Sequence, residues 1–281
     1  MSAQAASGEV SQYLSRFFAS VKGSFTQIVR SPSHSRRAEA ARRSARHLLL
    51  LTAMLGAFIL ALMYLLDVPE IGWMPARGTA GLWPVRILTD FGKSTYVLWT
   101  LAGLLCAVAL VSPFLRGTSR SRLLNFGTHL QFVFFAVLLP VLTGEVIKWI
   151  VGRGRPFVGG EANAFNFVYF NGTEAYASFP SGHAVTAFAL AVAIGAIWPQ
   201  ARLAMIVYAL LIAASRLVLL AHHPSDVVAG ALIGVVGAML VRYWFAARRL
   251  GFTIRRDGEI VPLGGRPPLH LKRVAREASA P

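Results

Sequence analysis

Six stretches of this chain are apolar over the length a bilayer crossing requires. They lie near 48–66, 95–115, 126–147, 183–199, 203–221 and 227–247. A span needs about 20 such residues, and lipid offers the backbone no partner, so each must be a helix. The pattern therefore predicts an all-α fold, an integral membrane bundle of six transmembrane helices, with the fourth span the shortest. Residues 1–47 form a polar, basic leader, 48–248 the membrane domain, and 249–281 a basic tail. In the leader, Val10, Tyr13, Leu14, Phe17, Phe18, Val21, Phe25, Ile28 and Val29 recur at helical spacing, with Arg16, Lys22 and Arg30 around them. An amphipathic helix of this kind lies on the anionic lipids of the inner leaflet, or packs on the bundle or a partner. The first span begins too late for a cleavable signal peptide.

Composition agrees with this reading. The 281 residues are 55% hydrophobic and 14% charged, against about 25% charged in typical soluble domains. That excludes a disordered chain and argues against an ordinary soluble enzyme. The net charge of +16 would point to nucleic acid in a soluble protein. Here Lys and Arg concentrate in the leader, the tail and the loops that span counting puts on the same side, which marks that side as cytoplasmic. Both termini are expected inside, and no nucleic-acid partner is expected. The Arg-rich inner loops fit a bacterial inner membrane. Cys106 is the single cysteine, so no disulfide forms within the chain.

Span counting gathers three charged clusters on the other, periplasmic face. The first is Lys148, Arg153 and Arg155-Pro156. The second is Pro180-Ser181-Gly182-His183. The third is Ser215-Arg216, His222-His223-Pro224 and Asp226. Taken singly each residue has an ordinary explanation. Asp226 and Ser181 suit helix N-termini, Lys148 and Arg216 can snorkel, and His183 can sit at an interface. Together they are harder to explain away. Two like charges about 6 Å apart repel by roughly 3 kcal/mol at an effective dielectric of about 20, so Lys148, Arg155 and Arg216 need an anion between them. Two helix N-termini, with free N–H groups and partial positive charge, face the same place, and Gly182 lets backbone approach a ligand. The 149–179 loop is long enough to imply a role. Its aromatic side chains, Phe157, Phe165, Phe167, Tyr169, Phe170 and Tyr176, suit an interface or contact with lipid chains.

These residues resemble the signatures of the type 2 phosphatidic acid phosphatase (PAP2) superfamily, in order and in spacing. Lys148, six residues and Arg155-Pro156 are similar to the first signature. Pro180-Ser181-Gly182-His183 is similar to the second. Ser215-Arg216, five residues, His222, three residues and Asp226 are similar to the third. The resemblance implies a lipid phosphate or pyrophosphate phosphatase that uses neither metal nor cofactor. In it His222 is the nucleophile and forms a phosphohistidine. Asp226 accepts the His222 N–H, and His183 is the general acid and base. Lys148, Arg155, Arg216, Ser181 and Gly182 hold the phosphoryl oxygens. Family spacing selects His222 over His223. Arg153 lies outside the signature and either touches phosphate or lipid headgroups or is solvated. The substrates implied are membrane lipids, undecaprenyl pyrophosphate or the phospholipids phosphatidic acid and phosphatidylglycerol phosphate first, and lipid A beside them. Protein partners are not readable. Two other readings stand beside this one, a lipid phosphotransferase sharing the phosphohistidine step, and a non-catalytic transporter or binding protein.

Overall fold

The computed structural model describes residues 3–160 and 162–263. The helices run α1 (Ala3–Val29), α2 (Arg37–Leu65), α3 (Pro69–Trp73), α4 (Trp83–Asp90), α5 (Ser94–Val111), α6 (Gly117–Val151), α7 (Gly182–Ile197), α8 (Arg202–Val218) and α9 (Pro224–Ala247). Two short strands follow, β1 (Phe252–Ile254) and β2 (Ile260–Pro262). The helices α2, α5, α6, α7, α8 and α9 occupy the six predicted positions. Five stretches are long and apolar enough to cross a membrane: Arg37–Leu65, Ala80–Val111, Gly117–Val151, Pro199–Val218 and Pro224–Ala247. The fourth predicted span, α7, is a shorter apolar helix of 16 residues.

Being short suits α7 to the middle of the bundle. Its sequence is built on alanine, and Ala184, Ala187, Ala189, Ala193 and Ala196 are buried against α6, α8 and α9. Small side chains let helix backbones meet where lipid provides no hydrophobic drive between helices. Gly230 and Gly234, one turn apart on α9, complete the contact: a β-carbon on either would run into the Ser181 or Val185 carbonyl oxygen of α7. Gly237 lies just as closely on the Pro140 ring of α6. The result is that the N-termini of α7 and α9 stand side by side.

The ends of the chain depart from expectation. Helix α2 begins at Arg37, so the leader boundary at 47 falls inside it. Its first turns, RAEAARRSARH, are strong helix formers that a hydropathy reading passes over. The segment between the first two spans folds as α3 and α4. The all-α expectation needs one correction. Part of the tail forms an antiparallel hairpin, Ile254 opposite Ile260, and buries Phe252 and Ile254, with the Phe252 ring 4.7 Å from that of Phe132. The rest of the basic tail, 264–281, lies outside the described residues. One face of α1 packs on the bundle, through Tyr13 Oη to the Leu110 carbonyl (3.0 Å) and Arg120 to Ser20 Oγ (3.1 Å). The adjoining face leaves Val10, Leu14, Phe18, Val21, Phe25 and Val29 exposed.

Candidate active site

The end of α6 and the loop after it set the first cluster. Gly152 caps α6 in the left-handed region, at φ 54°, with its N–H on the Lys148 carbonyl (2.9 Å). A β-carbon there would run into the Val168 carbonyl oxygen, so only glycine makes this turn. The loop then doubles back. Val168 N–H donates to the Gly152 carbonyl (2.7 Å) and Gly154 N–H to that of Asn166 (2.8 Å), with Arg153 and Phe167 paired antiparallel. Lys148 reaches Glu145 Oε1 at 2.5 Å and lies over the start of α7, where a β-carbon on Gly182 would stand 3.1 Å from its Nζ. Arg155 is half-buried and holds the exposed Glu174 carboxylate at 2.7 Å.

The second and third clusters meet through backbone. Ser181 N–H donates to the Asp226 carbonyl (3.0 Å), joining the N-termini of α7 and α9. Arg216, in the last turn of α8, donates to Thr89 Oγ1 of α4 (2.8 Å). His222 sits between α8 and α9 and is 3% exposed. Its Nδ1 lies 2.8 Å from the Ser178 carbonyl oxygen. A carbonyl only accepts, so Nδ1 carries the proton, and the lone pair of the neutral ring is on Nε2. Burial lowers the His222 pKa to about 4, so the ring is neutral near pH 7. His183 is within electrostatic reach of Arg216, His222, Lys93 and Lys148, and Arg216 within reach of Arg155. The structure thus brings all eight sequence-derived residues to one end of the bundle. Buried there without hydrogen-bond partners are Arg155 Nε, Ser181 Oγ, His183 Nε2 and Arg216 Nε.

Behind His222 the arrangement differs from expectation in three ways. The nearest His222–Asp226 approach is 3.8 Å, beyond hydrogen-bond length, because the Ser178 carbonyl takes the His222 N–H instead. Asp226 Oδ2 accepts from the Ser178 hydroxyl (2.6 Å) and from the His223 backbone N–H (2.9 Å), so Ser178 touches both residues. His223, fully buried, caps α9 and turns its Nδ1 towards the Asp67 carbonyl (3.3 Å). Arg153 is neither on a headgroup nor solvated. It is fully buried between two carboxylates, 2.5 Å from Asp226 Oδ1 and 2.7 Å from Asp67 Oδ2. It also donates to Ser225 Oγ (2.7 Å) and to the Ala164 carbonyl (2.7 Å).

Sequence reasoning missed Asp67, Thr89, Lys93, Ser178 and Ser225. Asp67 gave one usable signal, an acidic residue closing an otherwise apolar span. Its Oδ1 accepts the Ser225 N–H at 2.9 Å, so it caps α9 from outside.

Comparison with known proteins points to one family. Residues 130–250 match the PAP2 superfamily. A lipid A 1-phosphatase of Rhizobium johnstonii is 32% identical over 174 residues, 62% of this chain and 71% of the relative. That of Rhizobium etli is 32% identical over 175 residues, 62% and 75% of the two chains. The bacitracin transport permease protein BcrC of Bacillus licheniformis is 28% identical over 170 residues, 58% and 79%. No solved structure matches. With two relatives above 30% identity matched over most of their length, and with the signature residues assembled at one end of the bundle, the chain belongs to the PAP2 superfamily, in its membrane lipid phosphatase branch.

Proposed function

We propose that this membrane phosphatase removes a phosphate from a lipid headgroup at the periplasmic surface, without a metal, through a phosphohistidine. His222 Nε2 attacks phosphorus while His183 gives a proton to the departing lipid oxygen. His183 then takes a proton from water as that water attacks the phosphohistidine, releasing inorganic phosphate and restoring both rings. Lys148, Arg155, Arg216, the Ser181 hydroxyl and the Gly182 amide hold the phosphoryl oxygens as charge builds on them. Asp226 steadies the imidazolium through its field and through Ser178, which holds the ring. The observation that carries this reading is the set of unpartnered polar atoms on Arg155, Ser181, His183 and Arg216 in reach of a neutral, buried imidazole.

The substrate we place first is lipid A phosphorylated at its 1-position, because two relatives bear that activity in their names. In this orientation both termini are cytoplasmic, in a bacterial inner membrane, and α1 rests its exposed apolar face among anionic inner-leaflet lipids. The test is purified protein in EDTA against lipid A 1-phosphate, phosphatidic acid and undecaprenyl pyrophosphate, with released phosphate measured. Release in EDTA is expected, fastest on lipid A. His183→Ala should slow it by about a thousandfold, and His222→Ala should abolish it. Turnover by the His222 variant would overturn the mechanism. Label that passes to a second lipid and never to water would identify a phosphotransferase instead.

A further inference from the structure

The end of the bundle remote from His183 and His222 holds a second basic site. A cavity of about 510 Å³ opens between α2, α7, α8, α9 and the hairpin. One wall is apolar, from Phe188 and Val192 of α7, Ile206 of α8 and Met239 of α9. The rim is basic, from Arg43, His47, Arg202 and Arg242. Arg43 is paired with Asp257 (3.0 Å), and the one acid on the rim, Glu259, is paired with Arg255 (2.9 Å). Among the described residues, Arg202 and Arg242 have no carboxylate partner. Arg202 Nε donates to the Gly195 carbonyl (3.0 Å). Arg242 reaches the Ile260 carbonyl, and its Nε is buried without a partner.

We propose that this cavity binds an anionic diacyl phospholipid, with its phosphate between Arg202 and Arg242 and the upper part of an acyl chain along α7, α8 and α9. Two like charges facing one space are relieved by an anion, and arginine is suited to phosphate oxygens. The apolar wall leaves a soluble anion no reason to prefer this place, whereas a lipid fills both halves. The volume lies within the range of small-molecule sites. The site is distinct from the catalytic one. The basic rim is the remote part: His183 opens α7, and Gly195, whose carbonyl Arg202 binds, is twelve residues on, which is about 18 Å along a helix, while the apolar wall extends back as far as Phe188. The leaflet concerned is the cytoplasmic one if the proposed orientation holds. The site itself does not depend on that orientation.

The test uses the full chain in nanodiscs with photoactivatable phosphatidylglycerol or phosphatidylcholine, and maps the labelled peptides. Phosphatidylglycerol is a phosphodiester, so a phosphomonoesterase does not consume it. Its label should concentrate on the Phe188–Ile206 and Val235–Arg242 stretches. Joint Arg202→Gln and Arg242→Gln substitution should lower that labelling by about tenfold, while the two Arg→Lys changes keep most of it. Should the double glutamine variant not fold, Arg202→Gln alone, at an exposed position, must still lower it. Millimolar inorganic phosphate, which competes at the catalytic end, should leave it intact. Equal labelling by phosphatidylcholine, uniform labelling of every helix, a preference that survives loss of both arginines, displacement by inorganic phosphate, or cross-links to a second copy in place of lipid would each overturn the proposal.

Discussion

The two halves of the site differ in how complete they are. Behind His222, Asp67, Arg153, Ser178, Ser225 and Asp226 are joined by hydrogen bonds of 2.9 Å or less, and all five are buried. In front of it, Arg155, Ser181, His183 and Arg216 each keep a buried polar atom unpartnered. Both halves are dense in charge and polar groups, yet only the first buries its counter-charges; in the second, Lys148 and Arg155 are held by the more exposed Glu145 and Glu174, and Arg216 has no carboxylate partner among the described residues. Polar networks in a low-dielectric interior stabilise when fully satisfied and are costly when partly so. The first half is therefore part of the fold. In the proposed function the second is completed by the anionic group of the substrate.

Removing one charge from each half separates these roles most clearly. Arg153→Ala leaves Asp67 and Asp226 buried together without their cation. Breaking a buried pair in this way costs about 3–5 kcal/mol, so the variant should unfold or lose most of its thermal stability in detergent. Asp67→Asn should cost less, since Asp226 keeps Arg153. If Arg153→Ala melted like the parent, the network would not be structural. The front half should behave oppositely. Arg216→Gln relieves repulsion and leaves the resting protein nearly as stable, but it weakens anion binding. Vanadate or phosphate at about a hundredfold above Kd adds about 2.7 kcal/mol to a protein that binds it. That increment should appear in the parent melting curve and shrink sharply in Arg216→Gln. Equal increments in both would remove Arg216 from the cradle.

This division also explains what could be read from sequence. The cradle was legible because each member stands at the end of an apolar stretch, where a charge is conspicuous, and because span parity alone collects those ends. The helices were legible for the same reason. Arg153 was visible but not interpretable. Its role depends on Asp67, 86 residues away, which no local spacing connects to it. Ser178 was hidden in a loop, and its carbonyl, which holds the His222 ring, is backbone that any residue would provide. The β-hairpin was missed because strands of three residues carry too short a pattern, although Phe252, Ile254 and Ile260 supply the apolar side.

The pH profile tests the pocket around the nucleophile. With His222 lowered to about 4 by burial, the nucleophile stays neutral through the mildly acid range. The acid limb of kcat/KM should then lie near pH 4–5 and not near the ordinary histidine value of about 6.5. Stability carries the same sign. The unfolded chain takes up the proton below about pH 6.5 and the folded one does not, so stability present above that pH is lost as pH falls towards 4. An acid limb at 6.5 would mean that water reaches the ring.

The smallest effect is expected at Glu70, beside the network but outside its hydrogen bonds. Glu70 is buried and neither carboxyl oxygen has a partner. Burial first, and then the negative charge of Asp67, raise its pKa to about 7. A carboxyl raised in this way binds its proton more tightly when folded, so its contribution is present at acid pH and lost as pH rises through 7. Glu70→Gln removes that loss, while its amide N–H groups need partners the site does not offer, which offsets part of the gain. The variant should therefore melt like the parent at pH 5.5 and be more stable by about 1 kcal/mol or less at pH 8.5. A variant less stable at pH 8.5 would show the carboxylate to be ionised and paired, and would draw Glu70 into the completed half of the site.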